Sequence, residues 1–463
     1  MASTEMQRAL FMDRLRSRRG LRRDIVSPNS VTGPDLIDSQ FIPWLARSEV
    51  FFCIPGLVAQ YGSPLFVFSE RSLIANYRDL HEAFTRRYPR VRIAWSYKTN
   101  YLEAICRVFH REGAWGEVVS PFEYEKALRT GVAPSEIHFN GPYKTDAALS
   151  QAASSGTIIH LDNFDEIVRL EQIARHSGRK PRVAVRVNMA IDGLQAWSRF
   201  GLNLESGQAR DAVRRVLASG LLELMGLHTH IGTYVLEPAA YGSAAFKLAR
   251  FANELRAEHG IQLSFLDLGG GFASPNTLKG QYLTGEQSQT TFARYADAIA
   301  AGLGELDYPA AEKPVLVLET GRALVDSAGY LVSTVQASKR QPDGQRGLIL
   351  DAGVNLLFTS FWYNHAVAPT VDVRGTPEPT VLYGPLCMNI DVMREAVQLP
   401  PMVAGQRLVF RNVGAYNTTQ WMQFITLRPA VVMIGSRGET SVIRRAESVD
   451  DLASYEQVPG WLR

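Results

Sequence analysis

The stretch VRIAWSYKTN, residues 91–100, decides how this chain is expected to fold. It has the β-branched and aromatic composition of a buried strand, yet it ends on a lysine. Side chains alternate along a strand, so Ala94, Ser96 and Lys98 share one face and bulkier residues share the other. The small residues leave room beneath Lys98. The strand is therefore expected to deliver an amine into a pocket, the alternative being a lysine that snorkels to water.

Strand-like runs of the same kind recur through the next part of the chain, with helical stretches between them. Besides 92–98, we predict strands over residues 116–120, 137–141, 157–162, 182–189, 222–231, 265–270 and 315–320. Amphipathic stretches predict helices over residues 121–130, 163–176, 209–219 and 292–306. This alternation indicates an α/β fold with a parallel sheet. Eight such strands fit a (β/α)8 TIM-type barrel, and an open doubly wound sheet is the alternative.

The interior faces of these strands carry polar groups near their carboxyl ends. They are Lys98, Arg186, His230 and Glu319. Barrel enzymes place their chemistry at that end of the strands. Because a buried charge without a partner is costly, this convergent ring predicts a functional site rather than packing.

After residue 325 the pattern changes to strands separated by turns, which predicts an all-β domain. The segment 51–70 also has strand character and is expected to pair with this domain, so the β domain would be discontinuous. The expected organisation is an N-terminal extension (1–45), the first part of the β domain (46–70), the barrel (71–322) and the C-terminal β domain (323–463).

Bulk composition restricts the partners and the compartment. The net charge of +3 is too small to argue for nucleic acid, and no apolar run is long enough to span a membrane. Three cysteines fit a reducing cytoplasm, and no metal-binding spacing appears. The arginine-rich run at 14–23 suggests a nucleic-acid arm or a transit signal. We favour a solvated extension, because Glu5 and Asp13 do not suit a transit signal.

The run LDLGGGFA, residues 266–273, leaves the seventh strand of the predicted barrel. Its three glycines allow backbone N–H groups to approach an anion, and barrels commonly bind phosphate after strands seven and eight. A tight turn is the plainer interpretation. A lysine, a phosphate site and a buried carboxylate together suggest pyridoxal phosphate. Lys98 would form a Schiff base with the aldehyde, Glu319 would protonate the pyridine nitrogen and His230 would stack on the ring.

Six short motifs occur in the order seen in one family. YKTN, HTHIGTY, LDLGGGFA, ETGR, YGPLC and GAY resemble the fold-type III pyridoxal-phosphate decarboxylases, the relatives of diaminopimelate, ornithine and arginine decarboxylases. These enzymes share a barrel and a β domain with alanine racemase. The resemblance extends from about residue 55 to 440. It implies decarboxylation of an amino acid or an amino-acid-derived metabolite, by a homodimer that uses pyridoxal 5'-phosphate.

The resemblance also implies a role for individual residues. The cofactor-binding residues would be Lys98, Glu117, Arg186, His230, Thr233, Gly269, Gly270, Gly271, Glu319, Gly321, Arg322 and Tyr416. The substrate-binding residues would be Met388, Asp391 and Tyr416. Lys98, His230, Glu319 and Cys387 would be catalytic, and Cys387 would donate a proton across the dimer interface.

Several positions depart from the family pattern. ETGR replaces EPGR, Arg199 replaces a common lysine, and Glu117 replaces a common aspartate. Met388 stands where an acidic residue usually reads the distal end of a basic substrate. The segment 351–360 lacks the Arg-Pro pair of diaminopimelate decarboxylases. Either Asp391 meets a distal ammonium, or the substrate ends in another group and belongs to specialised metabolism.

Three other functions are weighed against the decarboxylase. A racemase of the same fold is disfavoured, because alanine racemases set an arginine against the pyridine nitrogen where this chain has Glu319. A metal-dependent barrel hydrolase would use the HTH pair at 228–230, but it needs further histidines at later strand ends. A non-enzymatic cofactor carrier would need neither the β domain nor Cys387.

Overall fold

The chain alternates strands and helices up to residue 325 and is mainly strand thereafter. The computed structural model describes residues 49–281 and 289–462, so the predicted extension over 1–45 and its arginine-rich run lie outside the described residues. Before residue 320 the strands are β1 (Leu65–Ser69), β2 (Val91–Ser96), β3 (Trp115–Val118), β4 (Ile137–Phe139), β5 (Ile158–Leu161), β6 (Arg182–Asn188), β7 (Leu202–Asn203), β8 (Glu223–His228), β9 (Phe265–Asp267), β10 (Thr277–Leu278) and β11 (Val315–Leu318).

Helices follow most of these strands. They are α1 (Glu49–Tyr61), α2 (Glu70–Thr85), α3 (Glu103–Arg111), α4 (Pro121–Arg129), α5 (Asp146–Ser155), α6 (Phe164–Ser177), α7 (Gln208–Ser219), α8 (Pro238–His259), α9 (Phe292–Leu303), α10 (Arg322–Val325) and α11 (Val449–Ala453). The four predicted helices are confirmed as α4, α6, α7 and α9. None of the helices in the described ranges combines the length and apolar character that crossing a membrane requires.

The predicted barrel is confirmed. Strands β2, β3, β4, β5, β6, β8, β9 and β11 pair in parallel in that order, and β11 returns to β2. The sheet therefore closes on itself, which excludes the open doubly wound alternative. The alternation of faces is also as predicted: Ile93 and Trp95 pack towards the helices, while Ala94 meets the interior side chains of the other strands.

Local sequence signals explain where the helices begin and end. In α6, the Asn163 side chain accepts a hydrogen bond from the Glu166 N–H, and Gly178 ends the helix at a φ of 66°. Ile167 and Leu170 are buried at helical spacing, so one face of α6 packs on the barrel. Each βα unit thus presents the carboxyl end of its strand and the first turn of its helix on the same side.

The second domain is a mostly β unit, as predicted. Its strands are β12 (Gly329–Arg340), β13 (Arg346–Leu350), β14 (Tyr363–Asn364), β15 (Val367–Pro369), β16 (Glu378–Tyr383), β17 (Val392–Leu399), β18 (Arg407–Arg411), β19 (Val431–Ile434) and β20 (Thr440–Arg444). Strand β1 pairs antiparallel with β12 and parallel with β19. The prediction that the segment before the barrel pairs with this sheet is therefore confirmed.

The strand character assigned to the whole segment 51–70 is wrong for its first half. Residues up to Tyr61 form the helix α1, and only Leu65–Ser69 is a strand. The buried side chains of α1 are Ile54, Leu57 and Val58, which lie at helical spacing and pack on the apolar face of the sheet. The aromatic and β-branched composition of this segment concealed that spacing.

Candidate active site

Lys98 lies in the short turn after β2 and points at a buried carboxylate. Its Nζ donates to Glu117 Oε2 at 2.6 Å, and Ser96 Oγ donates to the same oxygen at 2.6 Å. The contact follows from the fold, because Ser96 and Glu117 are register partners on adjacent strands. Burial alone would lower the pKa of Lys98, but the carboxylates of Glu117 and Glu319 and the phenol of Tyr416 raise it above its ordinary value.

Glu319 lies at the end of β11 and is 5% exposed. One of its oxygens accepts a hydrogen bond from Asn140 Nδ2, and the other lies 3.3 Å from His228 Nε2. Burial favours the neutral acid, but His228, with His160 and Lys98, holds the pKa of Glu319 well below its ordinary value. The carboxylate is therefore ionised inside the barrel.

His230 follows β8 and lies beside the glycine loop. Its Nδ1 accepts a hydrogen bond from the Gly270 N–H at 3.1 Å, so the other ring nitrogen carries the proton. Burial, and then the cations Arg186 and Lys98, lower the pKa of His230 to about 3. The result is a flat, neutral imidazole whose ring centroid lies 5.3 Å from that of Trp197.

Arg186 lies on β6 at the same end of the barrel. Its Nη1 donates to Asp162 Oδ1 at 3.2 Å, and its guanidinium lies 4.7 Å from the centre of the Phe200 ring. The Gly201 N–H donates to the same Asp162 oxygen at 3.1 Å. Arg186 is thus a fixed cation near His230, held by a carboxylate and an aromatic face.

The glycine loop after β9 packs against two neighbouring chain segments. Gly269 has a φ of 64° and Gly271 a φ of 95°, which other residues rarely adopt. A Cβ atom on Gly269 would lie 2.6 Å from His230 Nδ1, and one on Gly270 would collide with the Glu319 carbonyl oxygen. Glycine is therefore required here by packing alone, which is the plainer interpretation given above, and a close approach by an anion is an additional use of the same geometry.

Among the residues that the structure describes, none forms an ion pair with the Arg322 guanidinium, which is surrounded by aromatic rings. Its guanidinium lies 4.7 Å from the ring centre of Tyr416, 5.1 Å from that of Tyr363 and 5.7 Å from that of Tyr234. Its Nη1 atom is buried and has no hydrogen-bond acceptor within the described ranges. A buried guanidinium N–H of this kind suits an anionic ligand.

Tyr416 contacts Arg322, but the other predicted substrate residues and the predicted proton donor lie in the segment 387–391. Cys387 is exposed in the turn between β16 and β17, and Met388 follows it. No hydrogen bond or ion pair among the described residues joins this turn to Lys98. Asp391 is 2% exposed, and its two oxygens accept the backbone N–H groups of Val354 at 2.8 Å and Leu386 at 2.7 Å. Its carboxylate therefore holds the turn in shape and has no oxygen free of a backbone partner.

Thr233 occupies a different position from the other predicted phosphate ligands. It is exposed and lines an open depression of about 350 Å³ together with Trp197 and Glu237. The depression lies next to His230, through the contact of that ring with Trp197.

Sequence reasoning missed four residues in the barrel interior. Asn140 supports Glu319, while His138, His160 and Asp267 are each 0% exposed close to it. Their strand positions carry the signal: the apolar neighbours of both histidines face the helices, so the imidazoles must face inwards. Both histidines lie on strands that precede the HTH pair, so they are not the histidines at later strand ends that a metal hydrolase would need. Nitrogen or oxygen atoms of His138, His160, Asp267 and Glu319 lie within 4.8 Å of one another.

The chain is similar to known proteins over most of its length. The family described as "Pyridoxal-dependent decarboxylase, pyridoxal binding domain" matches residues 73–326. Diaminopimelate decarboxylase of Methanothermobacter thermautotrophicus is 30% identical over 423 residues, covering 88% of this chain and 94% of that protein. The Bacillus subtilis enzyme of the same name is 26% identical, covering 86% and 92%. The crystal structure of diaminopimelate decarboxylase from Methanocaldococcus jannaschii with L-lysine has a TM-score of 0.80 at 28% identity, covering 88% of this chain and 95% of that chain.

The fold is that of enzymes that use pyridoxal phosphate, and the chain belongs to the pyridoxal-dependent decarboxylases. It is a carboxy-lyase that acts on an amino acid, with pyridoxal phosphate as cofactor. The predicted family, fold class, reaction and cofactor are therefore confirmed. The metal-hydrolase, racemase and carrier alternatives are set aside by the same family match.

Proposed function

We propose that the enzyme removes the carboxylate of its amino-acid substrate at a site built around Lys98, with the cofactor phosphate bound by the loop 269–271 and by Arg322. The single observation that carries this assignment is the buried, unpartnered Nη1 of Arg322 beside the glycine loop and the Lys98 turn. When bound, pyridoxal phosphate supplies an electron sink for the electron pair left by the departing carboxylate. Gly321 belongs to the same site, because a Cβ there would collide with the Thr99 hydroxyl.

Glu117 prepares the lysine for attachment of the cofactor. The amine donates to its carboxylate at 2.6 Å, which orients Nζ and provides an acceptor for the proton that the amine must lose. Glu319 is ionised, and a carboxylate facing the pyridine nitrogen keeps a proton on that nitrogen. The neutral ring of His230 and the cation of Arg186 complete the proposed cofactor-binding face.

The visible absorbance of the purified protein tests the role of Lys98. We expect the wild-type enzyme with cofactor to absorb at the wavelength of a lysine-bound pyridoxal, and Lys98→Ala to lose this band and its activity. Glu125→Gln, on the exposed face of α4, is a control that should keep both. A band that persists in Lys98→Ala would assign cofactor attachment to another amine.

We further propose a homodimer in which Cys387 of one protomer donates a proton in the site of its partner. Three features support this arrangement. Cys387 is exposed, and among the described residues it has no hydrogen bond or ion pair with Lys98 or Glu117. In addition, exposed apolar side chains lie in its own turn and in the segment before β14. These are Ile390, Phe361 and Trp362, with exposures of 53%, 37% and 47%. An apolar surface near a reactive group suits a second copy of the chain.

Mixing inactive variants tests the shared site. A mixture of Lys98→Ala and Cys387→Ala dimers should recover about a quarter of wild-type activity, because one site in each mixed dimer keeps both residues. A mixture of Lys98→Ala and Glu319→Ala should recover nothing, since both positions lie in the same barrel. Recovery in neither mixture, with mixed dimers verified by mass, would place both groups in one chain, whereas a Cys387→Ala variant that is active on its own would remove Cys387 from the reaction.

For the substrate, we propose a side chain whose distal end is not a lone ammonium. Met388 offers no charge, and the nearby Asp391 has both oxygens bonded to backbone N–H groups. An ammonium group that becomes buried needs a hydrogen-bond acceptor that has no other partner. Carbon dioxide release from a panel of amino acids tests this: ornithine and lysine should be poor substrates, and Met388→Asp should improve them. Higher kcat/KM for lysine or ornithine than for amino acids without a lone distal ammonium would refute it, and a chiral inversion with retained carboxylate would indicate racemisation. We also propose a reducing compartment, consistent with three unpaired cysteines.

A further inference from the structure

The barrel interior contains titratable side chains to which the proposed function gives no role. His138 on β4, His160 on β5 and Asp267 at the end of β9 are completely buried. The interior side chains of the neighbouring layer are apolar, among them Ala94, Ala184, Val317 and Phe265. A barrel interior is usually filled by branched aliphatic residues, and burying polar groups costs free energy unless they bond to one another. Polar residues in this one layer therefore require an explanation.

The side chains form a row of close contacts that ends at Glu319, and in this row His160 and His228 meet through their rings without a hydrogen bond. His138 Nδ1 lies 3.3 Å from Asp267 Oδ2 and 3.0 Å from His160 Nε2. The ring centroids of His160 and His228 are 4.7 Å apart, and His228 Nε2 lies 3.3 Å from Glu319 Oε2. Asp267 is also anchored at its other oxygen, which accepts the Gly269 N–H at 2.8 Å. The row thus connects the glycine loop to the carboxylate assigned to the pyridine nitrogen.

The charges along this row are compatible with a single anion at Glu319. Burial, followed by the negative charge of Glu319, raises the pKa of Asp267 well above its ordinary value, so Asp267 holds a proton. Burial lowers the pKa of His138 to about 4 and that of His160 well below its ordinary value, so both rings are neutral. Neutral imidazoles can orient their N–H dipoles along the row without adding charge.

We propose that His138, His160 and Asp267 are positioning residues for Glu319, which keep its carboxylate ionised and aligned through His228. The proposal rests on the role of Glu319 given above. In physical terms, the fixed dipoles of the imidazoles and the proton that Asp267 holds lower the basicity of the Glu319 carboxylate. A less basic carboxylate leaves the proton on the pyridine nitrogen, where it is needed for electron withdrawal, rather than taking it for itself.

The nitrogen and oxygen atoms of His138, His160, Asp267 and Glu319 are also atoms of the kind that bind metal ions. A metal site and a row of positioning residues would use the Glu319 carboxylate in different ways. A metal ion would need the lone pairs by which His138, His160 and Asp267 already contact one another, and an oxygen of Glu319. Both oxygens of Glu319 already have a partner, Asn140 on one side and His228 on the other. Coordination would also withdraw this carboxylate from the cofactor. We therefore treat a metal ion as an outcome that the experiment must exclude.

The protonation state of the cofactor ring is the direct measurement. Holoenzyme is prepared with pyridoxal phosphate labelled with nitrogen-15 in the ring, and its NMR resonance reports whether that nitrogen carries a proton. In the wild type we expect the protonated form. In His160→Phe and His138→Phe the resonance should move towards the neutral form, and kcat should fall roughly tenfold, the effect of one pKa unit, with KM nearly unchanged. His160→Gln restores a polar donor and should recover much of the wild-type resonance.

Two controls separate this inference from packing and from the proposed function. The Phe265 ring lies 4.9 Å from that of His138 and 6.1 Å from that of His160, so Phe265→Leu perturbs the same contacts without removing a polar group. If Phe265→Leu moves the resonance as far as His160→Phe does, the effect is packing and the inference is overturned. If Glu319→Gln leaves the resonance unchanged, the role of Glu319 itself fails. If Glu319→Gln moves it and the histidine variants do not, only the present inference fails. One equivalent of divalent metal in the holoenzyme, lost in His138→Phe, would make the row a metal site instead.

Discussion

Replacing Glu123 with glutamine should stabilise the apoenzyme at alkaline pH. Glu123 lies in the first turn of α4, is 5% exposed, and accepts the Val119 N–H at 2.8 Å. Burial, opposed by that hydrogen bond and reinforced by the charge of Glu117, raises its pKa from 4.5 to about 7. At ~1.4 kcal/mol for each pH unit, this rise corresponds to roughly 3 kcal/mol.

The sign follows from proton linkage. The folded-state pKa lies above the unfolded-state value, so the folded protein binds this proton more tightly. The contribution of Glu123 to the free energy of unfolding therefore falls as pH rises from about 4.5 to about 7, and it remains low above that range. Glutamine keeps an oxygen for the Val119 N–H but has no proton to lose, so the variant lacks this pH dependence.

The assay is urea unfolding of apoenzyme at pH 5, 6, 7 and 8, with the barrel transition compared between wild type and variant. We expect Glu123→Gln to be more stable than wild type by up to roughly 3 kcal/mol at pH 8 and by little at pH 5. Glu125→Gln is the matched control, since Glu125 lies on the same helix, is 61% exposed and pairs with Arg129. It should change stability by less than about 1 kcal/mol at every pH. A variant less stable than wild type at pH 8, or a difference independent of pH, would refute the reasoning.

Two further predictions concern buried charges. Lys144 is 0% exposed and donates to both oxygens of Glu166 and to two backbone carbonyl groups. Lys144→Met should therefore lower the free energy of unfolding by roughly 3–5 kcal/mol, and the double variant Lys144→Met with Glu166→Leu should lower it by less. Urea unfolding of the two single variants and the double variant measures this as a double-mutant cycle. Equal losses in the single and double variants would contradict this. Arg322→Met should weaken cofactor binding roughly 10- to 150-fold, because a charge-assisted hydrogen bond contributes about 1.5–3 kcal/mol. Titration of apoenzyme with pyridoxal phosphate measures the affinity, and an unchanged value would place the phosphate elsewhere.

Most of the barrel could be predicted from the sequence because its signals are local. Each strand has a period-2 pattern with apolar residues towards the helices, and Ile93 and Trp95 occupy the faces that this rule assigns them. The same rule placed Lys98 and Glu319 only in part: Lys98 lies in the 3₁₀ turn Tyr97–Thr99 beyond β2 rather than on the strand predicted to reach residue 98, and Glu319 lies just past β11. The segment before β1 could not be predicted, because β-branched residues such as Ile54 and Val58 occur in buried helices as well as in strands.

The polar row and the state of Asp391 depend on contacts that sequence reasoning does not reach. The apolar neighbours of His138 on the short strand β4 indicate that its ring faces inwards, but they do not indicate which side chains it contacts there. His160 has the right pattern, but its partners come from strands 22 or more residues away. Asp391 accepts two backbone N–H groups because of the way the turn after β16 folds, and no residue type in that turn predicts these hydrogen bonds.

The contacts between the two domains explain why the barrel alone would not suffice for this site. The Tyr416 N–H donates to the Thr99 carbonyl at 2.9 Å, and Asn100 Nδ2 donates to the Gly414 carbonyl at 3.0 Å. Tyr416 itself has a φ of 62°, a conformation that costs free energy for a residue with a side chain. Its ring is thereby placed over the Arg322 guanidinium. The β domain therefore fixes the turn that carries Lys98 and encloses the cation assigned to the phosphate, two tasks that no strand of the barrel performs.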